Sequence, residues 1–399
     1  MLELIFKVFC LVTAFYLVFP FLLVILSLMK KEKYPPSASR ELDFACIITA
    51  YQHVQIALPL IISLMKQNYS HYLIYLVADA CDLSGITLEH EKVIVLKPEE
   101  KLGSKVKSIQ HALNHFKRNH DVVAVFDPDN LAPPDFLKVL NQYLTSGFVA
   151  VQGRRIAKNL DTIYACADAT GEIYKNYVER YAPYLLGSSP TIAGSGMAVK
   201  TPLFREYLQE ERITASLSQN KVIAAEDKIL QNFLVSRGYQ IAFANTARLY
   251  DEKITSAQQV ERQRSRWLYS YFENLPYAAR LFLKGLTSFN INQLLFGLTT
   301  SSPPLFLLLL TGLLLTVISI FVHPLWLHLM INSIWIFTAN IFLVLWLSDA
   351  PKAIWRALWG LPLFIFRQCI ALLRMGQSRR DFLPTRHKKV ITLEEMENP

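Results

Sequence analysis

Two long stretches without a charged side chain constrain this chain more than any other feature. They cover residues 8–29 and 285–348, and neither contains Asp, Glu, Lys or Arg. About 20 apolar residues in a helix cross the ~30 Å hydrocarbon core of a bilayer. The first stretch therefore predicts one membrane span, and it lacks the small-residue cleavage site of a removable signal. The second predicts two spans, near 305–322 and 328–347, with Pro324 in the turn; a buried soluble hairpin is the alternative.

Basic residues beside the predicted spans indicate the orientation. Lys30, Lys31 and Lys33 follow the first span, and cytoplasmic loops carry an excess of such residues. The region 40–284 is therefore expected in the cytoplasm. Two later spans return the chain there, and the basic residues that follow are Lys352, Arg356, Arg367, Arg374, Arg379, Arg380, Arg386, Lys388 and Lys389. The apolar segment 353–373, which Arg356 and Arg367 interrupt, is interpreted as an amphipathic helix in the membrane interface.

These assignments divide the chain into four regions. We expect a membrane helix at 1–30, a cytoplasmic domain at 40–284, two membrane helices with a preceding interfacial segment at 285–350, and an interfacial helix with a basic tail at 351–399. The net charge of +9 is attributed to the membrane face, because no basic patch with interleaved aromatic residues indicates nucleic-acid binding. The five cysteines lack metal-ligand spacing and are expected to be free thiols.

The middle of the chain has α/β character. Apolar strands are predicted at 43–50, 72–78, 93–96 and 121–126, and helices at 56–65 and 104–118. Alternating strands and helices indicate a mixed, mostly parallel sheet covered by helices. Ligands of such sheets bind at the carboxyl ends of the strands. With 14 glycines and no Gly-rich phosphate loop, the sequence does not fit a P-loop or a dinucleotide fingerprint.

Two aspartates follow the strand at 121–126. Asp127 and Asp129 are separated by one residue, and hard cations such as Mg²⁺ or Mn²⁺ take oxygen ligands. A cation held by this pair could bind a diphosphate and offset its charge. Asp79 comes at the end of another predicted strand, so three carboxylates are expected at one edge of the sheet. A solvated turn before Pro133 is the alternative for the pair.

Glu226 and Asp227 are the second acidic cluster. They directly precede a predicted helix at 228–236. Asp227 is a candidate general base that would deprotonate an acceptor hydroxyl. The alternative is that both acids only interact with the helix dipole.

Three further motifs are candidates for ligand contacts. In Gln263-Arg264-Ser265-Arg266-Trp267, an arginine could bind diphosphate oxygens and the indole could face a sugar; a membrane-surface helix is the alternative. In Gly194-Ser195-Gly196, two glycines interrupt an apolar strand and permit close approach of the backbone to a ligand; a simple bulge is equally consistent. Lys105 could contact phosphate or be a surface lysine.

Taken in order, these residues resemble the membrane-bound family 2 glycosyltransferases, which include the cellulose, chitin, hyaluronan and poly-N-acetylglucosamine synthases and ceramide glucosyltransferase. The similarity extends from Asp43 to the end of the chain. It implies a GT-A fold, inversion at the anomeric carbon, and a nucleotide-sugar donor that is usually UDP-linked.

The resemblance also implies roles for individual residues. Thr49, Ala50, Tyr51 and Asp79 would hold the base and ribose, and Lys105 would join Asp127 in donor binding. Asp127 and Asp129 would hold the metal, and Asp227, with Glu226, would supply the catalytic base. The acceptor and diphosphate would contact Gly194, Ser195, Gly196, Gln263, Arg266 and Trp267. The segment 382–386 resembles the Trp-x-x-Thr-x-Arg tail of many members. Gln110, Ser104 and the loop after Asp79 depart from the family pattern.

The acceptor stays open at this level, because a growing polysaccharide and a lipid are both compatible with the motifs. With few spans, export of a polymer would need a partner protein or an oligomer. A different class, a membrane transporter with a nucleotide-binding domain, would have only His323 and His328 as ionisable residues in its late spans, whereas transport pathways usually contain several such groups. A catalytically silent scaffold is a third alternative.

Overall fold

The computed structural model describes residues 1–32, 35, 38, 40–86, 88–219, 223, 225–373 and 391–397. The strands are β1 (Phe44–Tyr51), β2 (Tyr72–Asp79), β3 (Val93–Leu96), β4 (Val122–Phe126), β5 (Ala150–Ala157), β6 (Met197–Lys200) and β7 (Ala242–Asp251). The helices are α1 (Leu2–Leu28), α2 (Leu58–Met65), α3 (Lys105–Asn114), α4 (Phe136–Thr145), α5 (Ile163–Lys175), α6 (Ala182–Leu185), α7 (Thr201–Tyr207), α8 (Glu211–Ser218), α9 (Glu226–Ser236), α10 (Ala257–Thr287), α11 (Ile291–Ser301), α12 (Leu305–Val322), α13 (Pro324–Leu347), α14 (Lys352–Ala357), α15 (Leu361–Leu373) and α16 (Leu393–Glu397).

The strands form one sheet in the order β3-β2-β1-β4-β6-β5-β7. Strand β1 pairs in parallel with β2 and β4, and β2–β3 and β5–β7 are also parallel pairs. Strand β6 runs antiparallel to both β4 and β5. The predicted mixed, mostly parallel sheet is therefore confirmed. Because β1, β2 and β4 run in the same direction, their carboxyl ends meet at one edge.

Alternating side chains of each strand supply two core layers, one on each face of the sheet. On one face, Phe44 and Ile48 of β1 pack in a buried cluster that includes Leu60 of α2. On the other face, Ile47 packs in a cluster that includes Ile109 of α3 and Leu230 of α9. Both layers are closed, so a β1 side chain has a buried environment whichever way it points. This explains why the strand is apolar at almost every position.

Among the described residues, three helices are long and apolar enough to cross a membrane: α1, α12 and α13. Their bounds agree with the predicted spans, except that α1 begins at Leu2 and Pro324 is the first residue of α13. Proline is favoured there because the first turn of a helix does not need its N–H. Phe19 and Leu23 of α1 and Val344 of α13 share a buried cluster with Tyr174 of α5, which joins these helices to the sheet domain.

Several elements differ from the sequence-based expectation. Helix α3 ends at Asn114 instead of 118, and the strand expected around 192–199 begins only at Met197. The segment 353–373 is not one helix: α14 and α15 are separated by a 3₁₀ turn at Leu358–Gly360. Strands β5 and β7 were not predicted, because polar residues within them interrupt the apolar pattern. The tail motif at 382–386 and the basic residues from Arg374 to Lys389 lie outside the described residues.

Candidate active site

A cavity of about 1040 Å³ opens at the carboxyl ends of β1, β2 and β4. We call this part of its lining the strand-end wall; it also includes the first residues of α3 and α9, and its members are Thr49, Ala50, Tyr51, Asp79, Lys105, Asp127, Asp129, Glu226 and Asp227. A second part of the lining, called the helical wall, consists of residues from α5, α10 and the ends of β5 and β7. All predicted site residues line the cavity except Ser195 and Gly196.

Lys105 connects the two acidic clusters. Its Nζ lies 2.6 Å from Asp127 Oδ1 and 3.6 Å from Glu226 Oε1, and it donates to the Gly194 carbonyl at 2.8 Å. Asp127 and Glu226 are 99 positions apart in the sequence, yet one ammonium group contacts both. Lys105 is therefore part of the cavity wall and not a solvated surface residue.

The Gly194-Ser195-Gly196 loop brings its backbone against the second acidic cluster. Gly194 has φ +77°, and a Cβ atom added to it would lie 3.7 Å from Asp227 Cβ. Gly196 has φ +63°, and its added Cβ would lie 2.5 Å from a Leu249 carbon atom. Only glycine adopts a left-handed backbone conformation of this kind at little cost in conformational energy. Ser195 is fully buried behind the loop, so the expected ligand contact of Ser195 and Gly196 is not supported, and only Gly194 reaches the cavity.

Asp79 uses both carboxylate oxygens within the protein. They accept the backbone N–H groups of Leu102 at 2.8 Å and Gly103 at 2.7 Å. The side chain, 2% exposed, therefore holds the loop that leads into Lys105 and α3. This ordering of the loop is a contact that the sequence did not indicate, and it positions Lys105 beside Asp127.

A tight turn presents the Asp127–Asp129 pair. The Asn130 N–H donates to the Asp127 carbonyl, and the Asn130 amide oxygen accepts the Asp127 N–H at 3.0 Å. Asp129 is 4% exposed, and its Oδ2 accepts the Glu252 N–H at 3.0 Å. The pair offers oxygen ligands on the cavity wall, which fits Mg²⁺ or Mn²⁺ held by one or two carboxylates and completed by substrate phosphates. Within the described part of the chain, no cluster of three or more acidic, His or Cys side chains forms a ready-made metal site.

Lys105 and the acidic side chains around it change one another's pKa values. Burial works to lower the pKa of Lys105, but attraction by Asp127, Glu226 and Asp227 outweighs it and raises that pKa. Burial raises the pKa of Glu226, and repulsion by Asp227 and Asp127 acts in the same direction, against the attraction of Lys105. Lys105 therefore stays charged, while ionisation of Glu226 is disfavoured.

The helical wall contains a buried chain of ion pairs that sequence reasoning missed. Arg155 pairs with Asp251, whose Oδ1 lies 3.0 Å from Lys253 Nζ. Lys253 Nζ is 3.4 Å from Glu172, and the other oxygen of Glu172 is 2.6 Å from Arg180 Nη1. Despite its burial, these cations lower the pKa of Glu172 well below its usual value. The residues come from β5, α5, β7 and the segments after them, and no spacing in the sequence indicates that they are partners.

Helix α10 places the Gln-x-x-Arg-Trp motif in the helical wall. Gln263, Arg266 and Trp267 line the cavity. Arg264 occupies a variable position of the motif. It pairs with Asp168 of α5, and its guanidinium carbon lies 4.3 Å from the Trp267 ring centroid.

Trp267 is also next to a second cation. Lys175 of α5 has its Nζ 4.6 Å from the same ring. The indole is therefore held between elements that the sequence gave no reason to associate.

The cavity continues from the charged walls to apolar helices. Its lining also includes Phe19 and Leu23 of α1, Leu305 and Leu309 of α12, and Phe337 of α13. A molecule in this cavity can thus contact both the carboxylates and the three long apolar helices.

Comparison with known proteins assigns the class. Residues 41–270 match the family described as glycosyltransferase like family 2. Because this match covers more than half of the chain, the protein belongs to that family and is a glycosyltransferase. This class replaces the transporter and silent-scaffold alternatives. The comparison with curated protein sequences returns no match.

A solved structure shares the fold. It is the mannosyltransferase PcManGT from Pyrobaculum calidifontis in complex with GDP-Man and Mn²⁺, at 14% identity and a TM-score of 0.57, covering 92% of this chain and 99% of that one. The GT-A-like α/β fold expected from the resemblance is thereby confirmed. The S. aureus TarS 1-349 structure in complex with UDP aligns more weakly, at 13% identity and a TM-score of 0.37, over 60% of this chain and 66% of that one.

Proposed function

We propose that the chain is a membrane-embedded, inverting glycosyltransferase that transfers a sugar from a nucleotide-sugar donor to a hydroxyl group of a lipid. One observation carries this proposal: a single cavity joins the Asp127, Glu226 and Asp227 carboxylates to the apolar helices α1, α12 and α13. The outward sides of these helices are apolar and exposed, as at Phe321 (84%) and Trp335 (69%). Exposed apolar surface of that length is expected to lie in a bilayer.

The donor is assigned to the strand-end wall. Thr49, Ala50 and Tyr51 follow one another at the end of β1 and are available to the nucleoside. The similar mannosyltransferase structure contains GDP-Man and Mn²⁺, which supports a nucleotide-sugar and a divalent cation here. Asp127 and Asp129 would hold this cation, which offsets charge on the leaving diphosphate when bound. Lys105 and Arg266 are positioned to bind phosphate oxygens.

Asp227 is assigned as the general base. It accepts the proton of the acceptor hydroxyl, whose oxygen forms a bond to the anomeric carbon as the bond from that carbon to the diphosphate oxygen breaks. A single displacement of this kind inverts the anomeric centre and releases the nucleoside diphosphate. A positioned carboxylate base contributes about 10²- to 10⁴-fold to such a rate. The Gly194 backbone keeps a side chain out of the space beside Asp227.

The lipid acceptor is favoured by the apolar end of the cavity. A growing polysaccharide is the second candidate, because Trp267 offers a flat apolar face that suits a sugar ring. A polymer would then need a partner protein or an oligomer to complete an export path past three apolar helices. The catalytic domain is assigned to the cytoplasm, where nucleotide sugars are supplied and where Lys30 and Lys31 are expected.

Membranes containing the full chain test the proposal. They would be incubated with radiolabelled UDP- and GDP-sugars, with divalent cation added or chelated. We expect one donor to give a solvent-extractable lipid product, and the Asp227→Asn protein to bind that donor while forming at least 100-fold less product. Glu211→Gln, an exposed residue at the start of α8, is the matched control and should behave as wild type. Equal turnover by Asp227→Asn and wild type would refute the base assignment, and a water-soluble polymeric product would refute the lipid acceptor.

A further inference from the structure

Lys175 differs in its partners from the ion-paired cations of the helical wall. Arg155, Lys253, Arg180 and Arg264 each lie within ion-pair distance of a carboxylate. Lys175 has only the Trp267 ring, 4.6 Å from its Nζ. Its ammonium forms no hydrogen bond or ion pair with the part of the chain that the structure describes. Arg262 and Arg266 of α10 also line the cavity without an ion pair among the described residues, so Lys175 is the cation of α5 whose charge no ion pair offsets.

The environment of Lys175 disfavours its charged form. Burial lowers the pKa of Lys175 to about 8, and repulsion by Arg264 and Lys228 acts in the same direction, whereas Glu179 and Glu172 oppose it. Glu172 is already bound to Arg180 and Lys253, and Glu179 lies 3.5 Å from the Thr191 hydroxyl. Near pH 7 the ammonium is still protonated, yet it is short of both water and counter-charge. A buried charge of this kind is stabilised strongly when an anion forms a charge-assisted hydrogen bond with it.

The position of Lys175 connects the apolar helices to the reaction site. The preceding residue, Tyr174, is buried against Phe19 and Leu23 of α1 and approaches Phe337 of α13. Lys175 also lines the same cavity as Asp227 of α9. A molecule whose apolar part lies along α1 and α13 can therefore place its polar head at Lys175 within the cavity that contains Asp227.

We propose that Lys175, packed against the Trp267 ring, binds the phosphate of an anionic lipid acceptor and so positions a hydroxyl of its headgroup for Asp227. This inference rests on the proposed function and deepens it by naming the acceptor class, a phosphate-bearing lipid with a free headgroup hydroxyl. The donor diphosphate is a less suitable occupant, because it is assigned to Lys105, to Arg266 and to the cation held by Asp127 and Asp129. Lys175 is a positioning residue, since it binds the acceptor and takes no part in proton transfer.

Lipid binding without any donor tests this inference. The full-length protein in neutral detergent micelles would be titrated with phosphatidylglycerol, with diacylglycerol of the same acyl chains, and with glycerol 3-phosphate. The variants are Lys175→Met, which keeps an apolar side chain against Trp267, and Lys175→Arg, which keeps the charge. Lys138→Met is the control, because Lys138 is exposed on α4, away from the cavity.

We expect the wild type to prefer phosphatidylglycerol to diacylglycerol. Loss of one charge-assisted contact should weaken phosphatidylglycerol binding about tenfold or more in Lys175→Met. Lys175→Arg should restore most of it, and Lys138→Met should bind as wild type. Unchanged phosphatidylglycerol binding in Lys175→Met, or diacylglycerol binding as tight as phosphatidylglycerol, would overturn the inference. Binding of glycerol 3-phosphate as tight as phosphatidylglycerol would overturn the assignment to a lipid.

This result can be separated from a failure of the proposed function. Binding is measured without catalysis, and Asp227→Asn should retain it. If Asp227→Asn abolishes turnover while Lys175→Met binds lipid normally, only the acceptor inference falls. If Asp227→Asn turns over normally while Lys175→Met loses lipid binding, only the catalytic assignment falls.

Discussion

The two walls of the cavity use charge in opposite ways. The strand-end wall gathers carboxylates around a single ammonium, so that Lys105 lies between Asp127 and Glu226. The helical wall contains a chain of alternating cations and anions from Arg155 to Arg180, and Lys175 is a surplus cation beside it that has no ion pair among the described residues. An acid-rich wall suits a divalent cation and its phosphates, whereas a cation-rich wall beside apolar helices suits an anionic amphiphile.

The walls also differ in how they are built. The strand-end wall consists of strand ends and the first residues of α3 and α9, where a few consecutive residues decide both structure and chemistry. The helical wall contains a chain of ion-paired side chains that meet across the fold, so these charges stabilise one another before they can serve a ligand. We therefore expect substitutions in the first wall to reduce activity and those in the ion-pair chain of the second to reduce stability.

The largest effect is expected at Asp127. Replacing it with Asn removes a carboxylate from the proposed metal site, and a bound metal contributes several kcal/mol to stabilising developing charge. Transfer should fall on the order of a thousandfold, with little loss of folding stability. Product formation and thermal unfolding of Asp127→Asn would be measured beside Asp135→Asn, an exposed residue bonded to Asn68. A stability loss in place of an activity loss would contradict the division between the walls.

Glu172→Gln should show the opposite behaviour. It leaves the buried Arg180 without its carboxylate partner and Lys253 with Asp251 alone, and breaking a buried ion pair costs about 3 to 5 kcal/mol. Denaturation of the solubilised protein would detect this loss. Glu206→Gln is the control, because its pair with Arg237 is exposed (side chains 53% and 37%) and should contribute less than about 1 kcal/mol. Equal losses in the two variants would mean that the buried chain does not stabilise the wall.

The smallest effect concerns the pH dependence of stability. Folding lowers the pKa of Lys175 from 10.5 to about 8, so below pH 8 its charge destabilises the folded state in full. Between pH 8 and 10.5 the unfolded chain binds the extra proton, and stability therefore rises with pH. Lys175→Met lacks this penalty and should be more stable than wild type at pH 7, by a margin that shrinks as the pH rises above 8. Thermal unfolding across this range measures the margin, and a constant or growing margin would contradict the surplus-cation interpretation.

Sequence patterns predicted the fold and the strand-end wall well. The apolar runs located β1, β2, β3 and β4, and the charge-free stretches located α1, α12 and α13, because hydrophobicity and length suffice for such elements. Strands β5 and β7 were missed because polar residues such as Arg155 in β5 and Asn245 and Arg248 in β7 interrupt their apolar pattern. The charge of Arg155 is tolerated inside the fold because it pairs with Asp251 at the end of β7.

The orientation of single side chains was harder to predict. Ser195 was expected to face a ligand, but it is buried between the left-handed residues Gly194 and Gly196. The carboxylate of Asp79 holds the backbone of Leu102 and Gly103, which the sequence did not indicate, and its donor contact stays a prediction. In both cases the residue type was informative, while its orientation depended on neighbours distant in sequence.

The sequence by itself determined the layered α/β domain, the three long apolar helices and the identity of the acids at the strand ends, because each depends on short-range periodicity and composition. Only the tertiary structure decided that Lys105 joins the two acidic clusters, that Trp267 lies between Arg264 and Lys175, and that the reaction cavity extends to the apolar helices. Those features arise from contacts between segments up to hundreds of residues apart, and the energy of a charge depends on which neighbours the fold brings to it.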